Sequence, residues 1–229
     1  MRPFTMPQHI VDRVVARRGA AHAYNWFDPA RTALVAVDLQ NGFMKPGVAF
    51  SLVEQAQSIV PNVNRLASAL RKAGGTVVWV YNTFTEETLV SWSHMHEYLT
   101  RPERRQKRIE VMSEGTEGHA LWPDLITVPE DLRVKKLRYS AFIQGSSDLE
   151  GQLRVRGIDT VLIVGCATNV CCESTARDAM MLNFKTVMVS DANAASTDEE
   201  HANALVAFYL IFGDVITTDE VIERLSLPH

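Results

Sequence analysis

The sequence predicts an α/β fold: an open, mainly parallel six-stranded sheet with helices on both faces, in a three-layer Rossmann-like arrangement. Three observations predict it. Short apolar runs alternate with amphipathic helical stretches along most of the 229 residues, the pattern of parallel strands joined by right-handed helical crossovers. A hydrophobic fraction of 46% is enough for one large core, and no Pro- or Ser-rich linker divides the chain. Polar and titratable residues fall where the apolar runs stop, and in open parallel sheets the ligand crevice lies at those carboxyl ends.

Residues 1–30 show weak periodicity and close on Trp26-Phe27-Asp28-Pro29. They read as an N-terminal arm that packs on the body or on a neighbouring subunit, leaving residues 31–229 as a single domain. Residues 32–37 form an apolar strand that ends at Asp38. Residues 57–73 place Val60, Val63, Leu66, Ala67 and Leu70 on one helical stripe, stopped by Gly74-Gly75. Residues 76–81, rich in Val and aromatics, are the second strand, and a long irregular stretch follows to about Pro129. Connections of that length often carry function. A short strand is expected over 132–136, a helix over 148–156 with Leu149 and Leu153 inward, and a strand over 160–164. The alternation continues with a helix over 171–183, a strand over 185–190, a helix over 197–212, a strand over 215–217 and a last helix over 219–225. Asp38, Asn82, Lys136 and residues 165–171 all fall at strand carboxyl ends.

The formal charge of −4 gives no reason to expect a polyanionic partner, so nucleic acid is not expected. No apolar stretch reaches transmembrane length, and residues 1–18 alternate charge with small apolar groups instead of forming a signal-peptide core. No membrane partner is expected, and the reading is cytoplasmic. Three cysteines, Cys166, Cys171 and Cys172, crowd into seven positions. They make no disulfide framework, which fits a reducing compartment.

The most informative segment runs from Gly165 to Ala179. It ends an apolar strand at Gly165, offers Thr168 as an N-cap and opens a helix of small residues. Cys171 then lies in the first turn, where unpaired N–H groups and the helix dipole lower a thiol pKa. Asp38 follows four apolar residues and is either an N-cap for the next turn or a base lifted above the sheet. Lys136 is either a solvated lysine or a cation of the same site. Together the three supply an acid, a cation and a thiol at the ends of strands of one sheet, the set that thiol-based acyl transfer requires.

Three motifs in order along the chain resemble those of the isochorismatase-like cysteine hydrolases. D-x-Q-x-x-F is matched by Asp38, Gln40 and Phe43. A lysine two residues ahead of Y-S-A-F is matched by Lys136 and Tyr139 to Phe142. G-x-x-T-x-x-C is matched by Gly165, Thr168 and Cys171. The resemblance implies that Asp38 takes the thiol proton, Cys171 attacks a carbonyl carbon, and Lys136 steers the acid and stabilises developing negative charge. It also implies a cis peptide between Cys166 and Ala167, and an oxyanion hole made by the N–H groups of Ala167 and Cys171. Two residues depart from the commonest pattern, Cys166 in place of a branched aliphatic and Cys172 in place of Val. Both read as small buried hydrophobes, with a vicinal Cys171–Cys172 disulfide or redox switch as the alternative.

Nicotinamide-hydrolysing relatives usually bind a metal through an Asp-x-His motif after the second strand. That motif is missing, so no metal and no cofactor are expected. His94 and His96 are read as exposed or substrate-contacting groups, with metal ligation as the alternative. The basic run from Arg101 to Arg108 reads as a solvated or intersubunit helix face that alternatively attracts an anion. Asn82 and Tyr139, with Gln40, Phe43 and Trp92, are the expected substrate contacts; ordinary loop polarity and packing are the bland reading of Asn82 and Tyr139.

The resemblance thus implies a hydrolase of a linear C–N bond in a small amide or ureide, working through a thioester. The stretch from Ala167 to Thr175 looks most like the ureidoacrylate amidohydrolases. N-carbamoylsarcosine amidases and lactam or other amide hydrolases are competitors. Isochorismatases cleave a vinyl ether without a cysteine nucleophile, and Cys171 argues against that branch. A catalytically silent binding or scaffold protein is the alternative from a different class, and the three retained polar groups argue against it. A homo-oligomer, dimer or tetramer, is expected.

Overall fold

The computed structural model describes residues 3–227. Six strands, β1 (Thr32–Val37), β2 (Thr76–Asn82), β3 (Leu132–Lys136), β4 (Thr160–Cys166), β5 (Lys185–Ala194) and β6 (Asp214–Ile216), form one sheet. Their order is β3-β2-β1-β4-β5-β6, and every adjacent pair is parallel. The helices of the described residues are α1 (Gln8–Arg18), α2 (Asn41–Met44), α3 (Val60–Lys72), α4 (Glu87–Ser91), α5 (Ser93–Glu97), α6 (Pro102–Met112), α7 (Leu149–Val155), α8 (Glu173–Met181), α9 (Asp198–Ile211) and α10 (Thr218–Ser226).

The period-2 geometry of a strand divides its side chains between the two faces, and here both faces are covered. All six residues of β1 are buried. Leu34 and Ala36 join one apolar cluster with Val63, Leu66 and Leu70 of α3 and Val221 and Leu225 of α10. Ala33, Val35 and Val37 join another, with Leu149 and Leu153 of α7, Ala176 and Ala179 of α8, and Leu205 and Phe208 of α9. Each such Val or Leu, fully buried, contributes about 1.5–3 kcal/mol from water exclusion. The central strands β1 and β4 therefore read as continuous hydrophobic runs, as two-sided parallel sheets require, while the edge strand β3 alternates.

The chain runs outward from β1 through β2 to β3 on one side, then crosses back to build β4, β5 and β6 on the other. That reversal puts the topological switch point between the carboxyl ends of β1 and β4, where a crevice opens. Val37 pairs in register with Gly165, and Asn82 with Lys136. Gly165 has φ +125°, and a Cβ there would lie 2.0 Å from the carbonyl oxygen of Val37. Only glycine lets β4 come this close to β1 at the point where both turn into the crevice.

β1 and β3 match the ranges read from sequence, while β2, β4 and β5 run further at their carboxyl ends. β5 reaches Ala194 past a register shift opposite Ile163 and Gly165. Asn193 bridges that irregularity, its amide donating to the carbonyls of Ile163 and Val189. Residues 8–18, read as weakly periodic, are helix α1, whose Ile10 and Val14 enter the second cluster. The stretch read as irregular contains α4, α5 and the three-turn α6. Its apolar residues are too sparse for a helical stripe to stand out, and tertiary packing supplies what periodicity lacks.

Candidate active site

Asp38 leaves β1 with φ +57°, a left-handed conformation that Asp tolerates better than most residues. Its N–H remains tied to the Val80 carbonyl, 3.0 Å away, so the turn lifts the carboxylate over the sheet edge. The N-cap alternative fails, because Gln40 occupies the cap position of α2. Neither carboxylate oxygen of Asp38 has an aligned hydrogen bond among the described residues. What Asp38 has is a cation: Lys136 Nζ lies 2.8 Å from its Oδ2, both side chains being 0% exposed. The aligned hydrogen bond of Lys136 goes to the Arg138 carbonyl at 3.0 Å, so the contact with Asp38 is chiefly coulombic. The reading of Lys136 as a solvated lysine is overturned: β3 ends inside the molecule.

Burial pushes the Asp38 carboxyl above its usual range, against the pull of Lys136. For Lys136, burial alone would lower the pKa, but the negative charges at Asp38 and Cys171 carry it upward. Cys171 lies beside them, 4% exposed. Burial, then the Asp38 charge, pushes its thiol up to about 12. This reverses the expected lowering. Desolvation of a thiolate and a carboxylate neighbour outweigh a dipole that is worth only a fraction of a kcal/mol at a helix end.

The segment that presents Cys171 starts as a single π turn, Thr168–Cys172, and continues as α8. Ala167, not Thr168, is the cap, because the Thr168 hydroxyl is engaged with His201 Nδ1 of α9 at 2.8 Å. The Cys166–Ala167 peptide is cis, as the resemblance implied. The Ala167 carbonyl accepts from the N–H groups of Val170 and Cys172. The N–H groups of Ala167 and Cys171 flank the thiol at the turn where β4 gives way to the helix. Cys166 and Cys172 are buried free thiols. Cys166 donates to the Asp38 carbonyl at 3.3 Å, and no vicinal disulfide joins Cys171 to Cys172.

Above this floor lies a cavity of about 260 Å³, small even for a ligand pocket. Phe43, Asn82, Tyr139, Ala167 and Cys171 line it, with Asp38 and Lys136 buried beneath. Two expected substrate contacts lie elsewhere. Gln40 donates to the carbonyls of Asn82 and His119 and accepts from the Asn82 N–H, so its amide is consumed in holding β2 and a neighbouring loop. Trp92 packs edge-on against Tyr139, ring centroids 4.8 Å apart, behind the lining. His94 is exposed while His96 turns inward, and among the described residues no three His, Cys, Asp or Glu side chains gather as metal ligands.

Sequence reasoning missed Arg108. The structure places it 6% exposed in the cavity wall, its Nη2 donating to Asn82 Oδ1 at 3.3 Å. A solvated position for this end of the basic run is thus overturned. The signal was present: Val111 and Met112, both buried, follow at i+3 and i+4, so Arg108 shares the inward stripe of its helix.

The Isochorismatase domain family matches residues 32–220. The chain is 32% identical over 203 residues to the ureidoacrylate amidohydrolase RutB of Caulobacter vibrioides, covering 83% of this chain and 89% of that one. Among solved structures it is similar to a cysteine hydrolase from Pseudomonas syringae pv. phaseolicola, with 29% identity, a TM-score of 0.74, and coverage of 87% of this chain and 94% of that one. It is also similar to the N-carbamoylsarcosine amidase of Thermoplasma acidophilum, with 26% identity, a TM-score of 0.65, and coverage of 82% and 97%.

Proposed function

Because this chain belongs to the isochorismatase family of hydrolases, we propose that it is a cysteine-dependent amidohydrolase. It cleaves a linear C–N bond in a small amide or ureide through a thioester, most like ureidoacrylate amidohydrolase. The observation that carries this reading is the buried Asp38–Lys136 pair beneath Cys171, at the floor of a cavity.

A thiol held near 12 is neutral at rest, so the proton must leave as the bond forms. Asp38 takes it while Cys171 Sγ attacks the carbonyl carbon. The raised carboxyl of Asp38 narrows the gap between donor and acceptor, which is what efficient general-base transfer needs. The carbonyl π pair moves to oxygen, where the Ala167 and Cys171 N–H groups receive it, and the fixed charge of Lys136 offsets the negative charge. Collapse expels the amine, which takes the proton back from Asp38 and leaves an acyl thioester. Water then gives a proton to Asp38 and its oxygen to the acyl carbon. Expulsion of the thiolate, reprotonated by Asp38, restores the site. Lys136 keeps its proton throughout.

The test is a side-by-side assay of product release from ureidoacrylate, N-carbamoylsarcosine, nicotinamide and simple aliphatic and aryl amides, with isochorismate followed by loss of its enol ether. Turnover of ureides or linear amides ahead of the others is expected, with a thioester mass adduct on Cys171 after acid quench. Faster turnover of isochorismate or nicotinamide would sink the assignment.

A further inference from the structure

The cavity contains a cation that the chain leaves unmatched. The Arg108 guanidinium lies near the rings of Trp92 and Phe50, 5.5 and 5.9 Å from their centroids. Besides its bond to Asn82, its Nη1 contacts Met95 Sδ at 3.5 Å. Its Nε–H is buried with no partner among the described residues, and no carboxylate among them pairs with it. Asp38 is committed to Lys136. Glu200 and Arg104 also line the cavity, and Arg104 hydrogen-bonds Ser51 at 2.8 Å. Among the residues lining this space of about 260 Å³, two cations, Arg104 and Arg108, face one carboxylate, Glu200, which leaves one positive charge above the paired Lys136 and Asp38.

An unpaired buried charge is costly, and folding has made room for this one with aromatic faces and an amide oxygen instead of neutralising it. A guanidinium fork matches a carboxylate better than any other group of that size. A phosphate would ask for more donors than this one deep guanidinium supplies. We propose that Arg108 is the specificity-determining residue of the site: its guanidinium receives a carboxylate of the substrate, so the amides or ureides hydrolysed are small organic acids. Asn82 positions Arg108 by accepting from Nη2. The charge count closes when the acid binds, and this holds the reacting carbonyl toward Cys171 at the other side of the same cavity. The proposal rests on the reading of Cys171 as the nucleophile.

The experiment compares 3-ureidoacrylate with its methyl ester in the wild type, Arg108→Met and Arg108→Lys. The wild type should prefer the acid by about 100-fold in kcat/KM, the worth of a charge-assisted hydrogen-bond pair. Arg108→Met should lose most of that preference, its loss on the acid appearing in KM and exceeding its loss on the ester, and Arg108→Lys should keep part of it. Equal losses on acid and ester in Arg108→Met would overturn the proposal. If neither ureide is hydrolysed, the functional reading fails by itself, and Arg108 is judged separately by alkylation of Cys171. Relative to free cysteine, iodoacetate should label the wild type faster than iodoacetamide does, and Arg108→Met should erase the difference; no difference in the wild type would refute the carboxylate site. If Arg108→Met does not fold, the wild type alone decides. Propionate should protect Cys171 from iodoacetamide and propionamide should not, and equal protection by both would count against Arg108.

Discussion

Two aspartates of this molecule are fully buried at opposite ends of the same sheet, and the chain treats them in opposite ways. Asp214, at the amino end of β6, accepts from the Ala23 N–H at 2.9 Å, the Tyr24 N–H at 3.4 Å and Arg18 at 3.2 Å, with His22 at 3.3 Å and Arg224 at 3.8 Å. Burial alone would raise its pKa, but His22, Arg18 and the Ala23 N–H outweigh it and hold the carboxyl below its usual value. Asp38, at the carboxyl end of β1, has one close cation and no aligned hydrogen bond, and its carboxyl sits above the usual value. A carboxylate satisfied from several sides fastens the N-terminal segment to the body. A carboxylate left short of partners is available to a proton. Burial alone does not separate the two; hydrogen-bond completion does.

The largest effect that would test this contrast lies next to Asp38. Cys171→Ala should remove hydrolysis by at least about 10⁴-fold, as loss of a nucleophile does elsewhere. Cys172→Ala, whose wild-type side chain packs in the second apolar cluster, should retain most activity in the same steady-state assay. An active Cys171→Ala beside an inactive Cys172→Ala would move the nucleophile by one residue.

The isosteric pair comes next. Asp38→Asn should lower kcat by roughly 10³-fold or more, the range of a lost general base. Asp214→Asn should leave kcat within about threefold but reduce unfolding free energy by about 3 kcal/mol, since two arginines lose a buried counter-ion. Denaturant titration together with kinetics on both variants checks it; a stability loss without an activity loss in Asp38→Asn would erase the contrast.

A pH series sharpens the comparison further, with opposite signs at the two sites. Asp214 titrates below its usual 3.8 in the fold, so its stabilisation is complete above that value and is lost as pH falls through the lower, folded one. The deficit of Asp214→Asn should therefore shrink in acid. Asp38 titrates above 3.8 in the fold, so its protonated form is the favoured one and the wild type loses that stabilisation as pH climbs through the folded value. Asp38→Asn should gain on the wild type over that climb. Parallel pH profiles for both variants would contradict the assignment. The smallest expected effect is that of chelation: prolonged treatment with a strong chelator should change turnover less than about twofold. Loss of activity restored by Zn²⁺ alone would send attention back to His94 and His96.

The sequence made the strands and the floor of the site readable because both are local. β1 is an apolar run with an abrupt polar end and β3 a short alternating strand, so Asp38 and Lys136 are placed by the strand each one closes. Cys171 follows from the stop at Gly165 and the small residues beyond. What was not readable depends on distant partners. Thr168 has the chemistry of an N-cap, yet His201, more than thirty residues on, takes its hydroxyl. Gln40 has the chemistry of a substrate contact, yet the backbone of β2 uses its amide. Arg108 sits in a run of cations that looks solvated because charge dominates its composition. Helix α1 shows little periodicity because Ile10 and Val14 are its only buried residues. The expected lowering of the Cys171 thiol failed for a related reason. Helix position was visible in the sequence, while the depth of burial and the facing carboxylate were not.

The glycine at 165 bears on how this scaffold diversifies. A single added methyl would collide with the strand that carries Asp38, so β4 and β1 can separate only by moving proton acceptor and thiol apart. Drift is closed at that position, and the spacing of the reacting groups is inherited as a fixed quantity. The wall residues Asn82, Arg104 and Arg108 come instead from the end of β2 and the stretch leading to β3, which can be redrawn without touching that spacing. New substrate preferences in descendants of this chain should therefore accumulate between residues 82 and 112, with the 165–171 turn unchanged.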